Sequence, residues 1–266
     1  LFDGRARVAV VVVDDEWGQR MAALAGPRAV TVSTRGAEAT WRSSDITTRP
    51  DGSTSFRVRG PGVDLAADCA VPGSYNVANA LLALAVLAEV GVDLRLAVPA
   101  VARAVVPGRM ERVAVGQPFL AVVDYAHKPA AVAGALRALR PLTTGRLIVV
   151  LGCGGDRDRA KRPVMGELAA RNSDLLIVTD DNPRSEDPAL IRQAMLAGAL
   201  AVPAHARGEV LEVGDRAEAI GAAVAAAAPG DTVLIAGKGH ERGQEIAGVE
   251  YPFDDRAVLR AALGAA

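Results

Sequence analysis

From residue 119 onward the chain alternates, at short and regular intervals, between apolar runs of strand length and runs of helix length. Strand-type runs at about 119–124, 146–151, 175–179, 209–213 and 232–236 are separated by helix-type runs at about 130–140, 161–171, 188–200 and 215–228, with a last one at about 254–263. Alternation at this spacing requires right-handed crossovers and predicts an α/β domain built on a mostly parallel, doubly wound, Rossmann-like sheet. In such sheets ligands bind beyond the carboxyl ends of the strands, and the sequence is lopsided in that sense. Run 119–123 leads into Asp124-Tyr125-Ala126-His127-Lys128-Pro129, and run 146–151 into Gly152-Cys153-Gly154-Gly155-Asp156-Arg157-Asp158-Arg159. Run 175–179 leads into Asp180-Asp181-Asn182-Pro183-Arg184, and run 232–236 into Gly237-Lys238-Gly239-His240-Glu241. The connections at the opposite end (142–145, 172–174 and 228–231) are plain turn chemistry.

The stretch 175–188 is the densest of these. Its apolar run stops abruptly at the charged loop, and Asp187 and Pro188 then supply the cap and first position of a helix. Two carboxylates, an amide and a guanidinium within five residues suit a ligand carrying both an ammonium and a carboxylate; a charged turn is the alternative. Residues 152–155, followed by Arg157, Arg159, Lys161 and Arg162, read as a flexible backbone that an anion can approach at a helix start, or as solvated charge on that helix. The loop is not a P-loop, because Gly-x-x-x-x-Gly-Lys-Ser/Thr occurs nowhere in the chain. Asp124 can accept hydrogen bonds from a ribose or pair with His127. Nothing resembles a zinc site or a nucleophile–His–Asp arrangement.

The first hundred residues follow another pattern. A continuous apolar run at 8–13 precedes a short helix (about 16–24) and a strand at 29–33. Runs 40–48, 54–59 and 63–70 are short, rich in Thr, Ser and Arg, and separated by Pro50-Asp51-Gly52 and Gly60-Pro61-Gly62, which predicts antiparallel hairpins. Pro72-Gly73-Ser74-Tyr75-Asn76-Val77-Ala78-Asn79 opens an apolar helix over 77–90. Asn76 and Asn79, three apart and so on one face, either cap it or read the edge of a heterocycle. A helix at about 93–104 runs into Pro107-Gly108, which marks a boundary between a domain at 1–107 and one at 108–266. The chain starts on Leu1 and enters a strand almost at once, so it reads as a piece beginning inside a domain.

With a net charge of −1 and half of its 266 residues hydrophobic, the chain offers no nucleic-acid surface and no disordered composition. Its apolar runs are broken before the roughly 18 residues of a membrane span, and its start lacks a signal-peptide layout. Cys69 and Cys153 are distant and unlike in context, so no disulfide framework is expected. The expectation is a soluble, cytoplasmic monomer without membrane insertion. Basic residues are nearly all Arg; the three lysines, Lys128, Lys161 and Lys238, all fall in or beside the charged loops, where a compact point charge acts differently from a planar fork.

Asp124-Tyr125-Ala126-His127, Gly152-Cys153-Gly154-Gly155-Asp156-Arg157-Asp158 with Lys161-Arg162-Pro163 and Met165, Asp181-Asn182-Pro183-Arg184, and Gly237-Lys238-Gly239-His240-Glu241 occur in that order. Together they resemble the C-terminal half of a Mur ligase, in the branch that adds meso-diaminopimelate to the peptidoglycan stem peptide. Gly73-Ser74-Tyr75-Asn76-Val77 with Asn79, and Pro107-Gly108-Arg109-Met110-Glu111, resemble the end of that family's ATP-binding central α/β domain. The resemblance implies that ATP phosphorylates the D-glutamate γ-carboxylate of UDP-N-acetylmuramoyl-L-alanyl-D-glutamate and that the amine of meso-diaminopimelate displaces the phosphate. On this basis Arg157 and Arg184 clamp the distal carboxylate, Asp181 and Glu241 hold ammonium charge, and Asn182, Pro183 and the Gly237 backbone complete the substrate site. Asn76, Asn79, Arg109, Asp124 and His127 match positions lining the nucleotide, with Arg109 toward the γ-phosphate.

Two departures limit the carry-over. Lys128-Pro129-Ala130 stands where the family has Thr-Pro-Asp, so Lys128 receives no role. The UDP-binding domain, the phosphate loop, the magnesium ligands and the family's carbamylated lysine would all precede Leu1. No complete catalytic set and no metal site is therefore expected within the chain, and by itself it should not turn over as a ligase. The rivals are a lysine-adding relative, disfavoured by Arg184, another Mur or folylpolyglutamate-type ligase, disfavoured by the whole Asp-Asn-Pro-Arg loop, and a non-catalytic amino-acid-binding module.

Overall fold

The computed structural model describes residues 6–49 and 51–265, and the chain divides into two compact units between Val105 and Val106. In the first unit strand β1 (Ala9–Val12) passes through helix α1 (Glu16–Ala25) to strand β2 (Ala29–Ser33), which lies parallel to β1. Asp15 caps α1 by accepting the Gly18 N–H at 2.7 Å. Strands β3 (Trp41–Thr48), β4 (Thr54–Gly60) and β5 (Val63–Cys69) complete a five-stranded sheet in sequence order. The β3–β4 and β4–β5 pairs are antiparallel, as the Gly-rich turns predict; Pro50 of the first turn lies outside the described residues. Helices α2 (Ser74–Glu89) and α3 (Leu94–Ala102) close the core, where Leu81 and Leu84 meet Val32, Trp41, Phe56 and Val58. Helix α2 starts at Ser74, three residues before the expected Val77, because Gly73 at φ +106 turns the chain into it.

The second unit begins with strand β6 (Glu111–Arg112), too short to be visible in the sequence. Strand β7 (Leu120–Asp124), helix α4 (Pro129–Leu139), strand β8 (Leu147–Leu151), helix α5 (Lys161–Asn172) and strand β9 (Leu175–Val178) follow in alternation. Helix α6 (Pro188–Ala201), strand β10 (Glu209–Glu212), helix α7 (Arg216–Ala226) and strand β11 (Thr232–Ala236) continue it. An unforeseen hairpin, β12 (Gly243–Ile246) and β13 (Val249–Pro252), precedes helix α8 (Asp255–Ala265). Its turn residues Ala247 and Gly248 both have positive φ, +51° and +79°, the geometry of a type I′ turn without its Asn-Gly signature.

The six strands lie in the order β10-β9-β8-β11-β7-β6, parallel except for β6. Steps from β7 through β8 and β9 to β10 run one way across the sheet, so right-handed crossovers put α4, α5 and α6 on one face. The return from β10 to β11 puts α7, with α8, on the other. That face is sealed by Val123, Ile148, Val150, Ile177 and Ile235 against Ile220, Ala223, Leu259 and Leu263. Strand β11 therefore sits between β8 and β7 while its continuation leaves toward the opposite face. The chain parts at the carboxyl ends on both sides of β11, which is where doubly wound sheets open a crevice.

Two features hold this unit. Helices α5 and α6 touch backbone to backbone: a Cβ added at Gly166 would lie 1.9 Å from the Met195 carbonyl oxygen, and one at Gly198 1.9 Å from that of Pro163. Arg216, fully buried at the start of α7, pairs with buried Asp255 at the start of α8 through two bonds of 2.7 Å. It also donates to the carbonyls of Ala236 (3.0 Å) and Asp180 (3.3 Å), at the ends of β11 and β9.

Gly166→Ala should destabilise the unit by about 1–3 kcal/mol through overpacking, whereas Gly134→Ala in α4, whose Cβ meets nothing within 4 Å, should stabilise it by about 0.5–1 kcal/mol. Shifts of the urea unfolding midpoint in opposite directions are the measurement. Arg216→Met alone, which strands a buried carboxylate, should cost about 3–5 kcal/mol, and the double variant Arg216→Met/Asp255→Leu markedly less; urea unfolding of both variants checks this.

Candidate substrate site at the carboxyl edge of the second unit

The loops leaving β7, β8, β9 and β11 enclose a cavity of about 800 Å³ lined by, among others, Tyr125, His127, Gly154, Arg157, Asp181, Asn182, Arg184, Gly237 and Glu241. Arg184 and Glu241, which stand 57 positions apart (241 − 184) in the sequence, thus face one space. Pro183, expected in the site, does not line the cavity; its backbone packs against Gly155, where an added Cβ would lie 1.9 Å from the Pro183 carbonyl oxygen. An adjoining cavity of about 430 Å³, walled by β12 and β13, shares Asn182, Arg184 and Glu241 with the first.

The acidic side of the cavity is ordered around Lys238, which is completely buried. Its Nζ donates to Asn182 Oδ1 at 2.7 Å and stands 3.6 Å from Glu241 Oε2 and 3.9 Å from Asp181 Oδ1. Asn182 Oδ1 also accepts the Glu245 N–H at 3.1 Å, and its Nδ2 donates to Glu241 Oε2 at 3.0 Å. Burial pushes the Lys238 pKa down, opposed by Asp181 and Glu241 and reinforced by nearby Arg216. Gly237, at φ +119, leaves room for Asp181: a Cβ there would lie 2.5 Å from Asp181 Oδ2.

The basic side is Arg157 and Arg184. Arg184 adopts a left-handed backbone at φ +53, held by Arg184 N–H to Glu245 O (2.9 Å) and Ala247 N–H to Arg184 O (2.7 Å). Its Nη1 donates to Gly155 O at 2.9 Å, and its Nε meets Glu245 Oε2 at 3.1 Å. Arg157 bonds only a backbone carbonyl, that of Asp156, at 2.9 Å among the described residues. The cavity is thus lined by separated negative and positive groups.

Several expectations change. Asp180 does not join the cavity; burial raises its carboxyl pKa, and its partner is Arg192 on α6. Two glycines of 152–155 serve close packing of loops: Gly155 N–H is taken by Asn182 O at 2.8 Å, and a Cβ on Gly152 would lie 2.6 Å from Thr179 O. Arg162 is not solvated charge. It is buried and held by Glu186 at 2.8 and 3.1 Å, and that guanidinium keeps the Glu186 carboxyl down at about 2. Cys153 in the cavity wall has its thiol pushed up to about 12 by burial, which keeps it protonated at neutral pH.

Among the positions expected to meet a nucleotide, Asp124 is buried, with its oxygens accepting the N–H groups of Met110 (2.7 Å) and Ala126 (2.8 Å). It makes no pair with His127, whose Nδ1 lies 2.8 Å from Tyr125 O. Burial raises the Asp124 pKa, against those two N–H donors. By anchoring Met110, Asp124 fixes the neighbouring Arg109, whose exposed guanidinium stacks 4.4 Å above the Tyr125 ring. In the first unit Asn76 Nδ2 donates to Pro72 O at 2.7 Å and Asn79 Nδ2 to Asn76 Oδ1 at 3.2 Å; Asn79 is exposed. Asn76 therefore does not cap the free N–H groups of α2. Lys238, Glu245, Glu186 and the Arg216–Asp255 pair were not assigned from sequence; only the placement of lysine in a chain of arginines pointed at the first of them.

The family model described as the Mur ligase middle domain matches residues 1–87, and that of the Mur ligase glutamate ligase domain matches residues 108–239. A UDP-N-acetylmuramoyl-L-alanyl-D-glutamate–2,6-diaminopimelate ligase of Streptomyces avermitilis is 55% identical over 97% of the chain and 52% of its own length. The protein of the same name from Corynebacterium glutamicum is 55% identical over 96% and 50%. A solved structure of a ligase of that name aligns at 35% identity with a TM-score of 0.65, covering 97% of this chain and 53% of the other. A pseudomurein peptide ligase type C from Methanothermus fervidus, at 17% identity, shares the fold with a TM-score of 0.68 over 98% and 57%. The chain spans about half the length of the curated relatives it matches. With both family models on one chain and these relatives over nearly all of it, the chain belongs to the Mur ligase family, of which it carries middle-domain and C-terminal-domain sequence.

Proposed function

We propose that the second unit is the amino-acid-binding part of an ATP-dependent ligase that adds meso-diaminopimelate to UDP-N-acetylmuramoyl-L-alanyl-D-glutamate in peptidoglycan precursor synthesis. The observation that carries this reading is the cavity that brings Arg157 and Arg184 together with Asp181, Asn182 and Glu241. A ligand with an ammonium and a carboxylate on the same distal carbon matches both sets of charges. ATP, when bound, supplies the phosphoryl group that activates the acceptor carboxylate. Arg109, exposed on its Tyr125 platform and making no salt bridge among the described residues, suits contact with a phosphate. Asn76 and Asn79, and His127, are the amide and imidazole groups assigned to the nucleotide. No three His, Cys, Asp or Glu side chains converge as a metal site among the described residues. Ligases of this family use magnesium, but no step of the reading runs through a metal held by this chain.

The chain's own contribution is selection and orientation. An ammonium held by Asp181 and Glu241 keeps its proton and cannot act as a nucleophile. The other amine, outside that grip, is the one free to lose a proton and attack. The site thereby chooses between two chemically similar amines by which of them is paired. No helix among the described residues is long and apolar enough to cross a membrane.

Calorimetric titration of the chain should show meso-diaminopimelate binding at least about 10-fold tighter than L-lysine, which lacks the carboxylate for Arg184; a charge-assisted pair is worth about 1.5–3 kcal/mol. Equal affinity would remove the diaminopimelate assignment, and tighter lysine binding would replace it with the lysine-adding one. Arg184→Ala should weaken meso-diaminopimelate by about 10-fold or more and leave L-lysine nearly unchanged, again read by calorimetry.

A further inference from the structure

Lys238 is buried without being a ligand-facing group, and nothing in the assignment above uses its charge. Its two neighbours explain why it points inward. Gly237 and Gly239 have φ of +119 and +56, and a Cβ on Gly239 would lie 2.7 Å from Gly108 O and from Tyr125 Cβ. The backbone around residue 238 can therefore be built only with glycines, and that path delivers the ammonium to the back of the acidic wall.

We propose that Lys238 is a positioning residue that makes the acidic end of the pocket selective for a single ammonium, by locking the Asn182 amide and, through it, the Glu241 carboxylate. This inference rests on the amino-acid reading of the cavity. Asn182 Oδ1 faces two donors, Lys238 Nζ and the Glu245 N–H, so the atom between them must be oxygen and Nδ2 must point to Glu241. One Glu241 oxygen is tied in this way, and the carboxylate is held in the cavity wall. The ammonium also offsets one of the two negative charges of Asp181 and Glu241, 3.9 and 3.6 Å away, leaving one for the ligand. Removing it takes from Asn182 Oδ1 the shorter of its two bonds, 2.7 Å against 3.1 Å from the Glu245 N–H. What is lost is the alignment of Asn182 and Glu241.

The test compares meso-diaminopimelate with L-2-aminopimelate, which keeps the distal carboxylate and lacks the distal ammonium, by calorimetric titration of the full chain. The wild-type chain should prefer meso-diaminopimelate by about 10-fold or more. In Lys238→Met that preference should collapse to within about three-fold, while L-2-aminopimelate binds within about three-fold of its wild-type affinity. Equal weakening of both ligands would make Lys238 a general structural residue, and an unchanged preference would make it irrelevant; either overturns the proposal. Lys238→Leu, which likewise offers Asn182 no donor, is read by the same ratio should the Met variant not fold. A reduced preference supports the proposal and the wild-type preference overturns it. If the wild-type chain binds neither compound, the amino-acid reading itself fails and this inference with it.

Discussion

Behind the cavity, Arg216 does what no surface residue could. Its guanidinium is fully buried, yet every face of it is used: Asp255 takes two bonds, and the carbonyls of Asp180 and Ala236 take two more. Those carbonyls belong to the residues just before Asp181 and Gly237. The charge that ties α7 to α8 therefore also sets where the β9 and β11 loops begin. Asp255 gains from its place at the first turn of α8, whereas Arg216 at the start of α7 is placed against that helix's dipole. The pairing with Asp255 is what makes the burial of Arg216 tolerable. Replacing it by apolar residues could preserve stability but not the hold on both loops.

From that anchor the site is assembled outward by close approach. Glycines at 152, 154, 155 and 237 let the β8, β9 and β11 loops come nearer than any side chain allows, a Cβ at 154 lying 2.9 Å from Arg184 Nη1. Arg184 accepts a left-handed backbone that costs a non-glycine residue of order 1 kcal/mol or more, because two backbone bonds to the β12 side and one side-chain bond to Gly155 hold it there. The strain is spent on aiming a guanidinium. Around it most charges have a partner inside the protein: Glu245 for Arg184, Lys238 for Asp181 and Glu241, Glu186 for Arg162, while Arg157 bonds only the Asp156 carbonyl among the described residues. A zwitterionic ligand entering such a site meets charges already ordered in space, so little reorganisation is required of the protein.

Much of this architecture was legible beforehand. Continuous apolar runs fall where β7, β8, β9 and β11 lie, since a strand buried on both faces cannot tolerate polar interruption, whereas the exposed edge strand β10 begins and ends on glutamate. Right-handed crossovers then dictated which edge the charged loops share. The hairpins at 40–70 followed from turn residues. Strand β6 and the β12–β13 hairpin escaped, the former for want of length and the latter because Ala247 carries no turn signature.

Sequence alone thus determined the layers, the binding edge and the kinds of charged group that meet there, because these depend on local periodicity and on chain chirality. Which charge finds which partner was decided only by tertiary structure. Asp180 turned to Arg192 while its neighbour Asp181 turned to Lys238, and Asn182 met a glutamate 59 positions away. A carboxylate is equally able to serve a ligand, a lysine or an arginine as far as its own segment is concerned. Distances of a few ångström between loops remote in sequence make the choice, and those exist only once the sheet is wound.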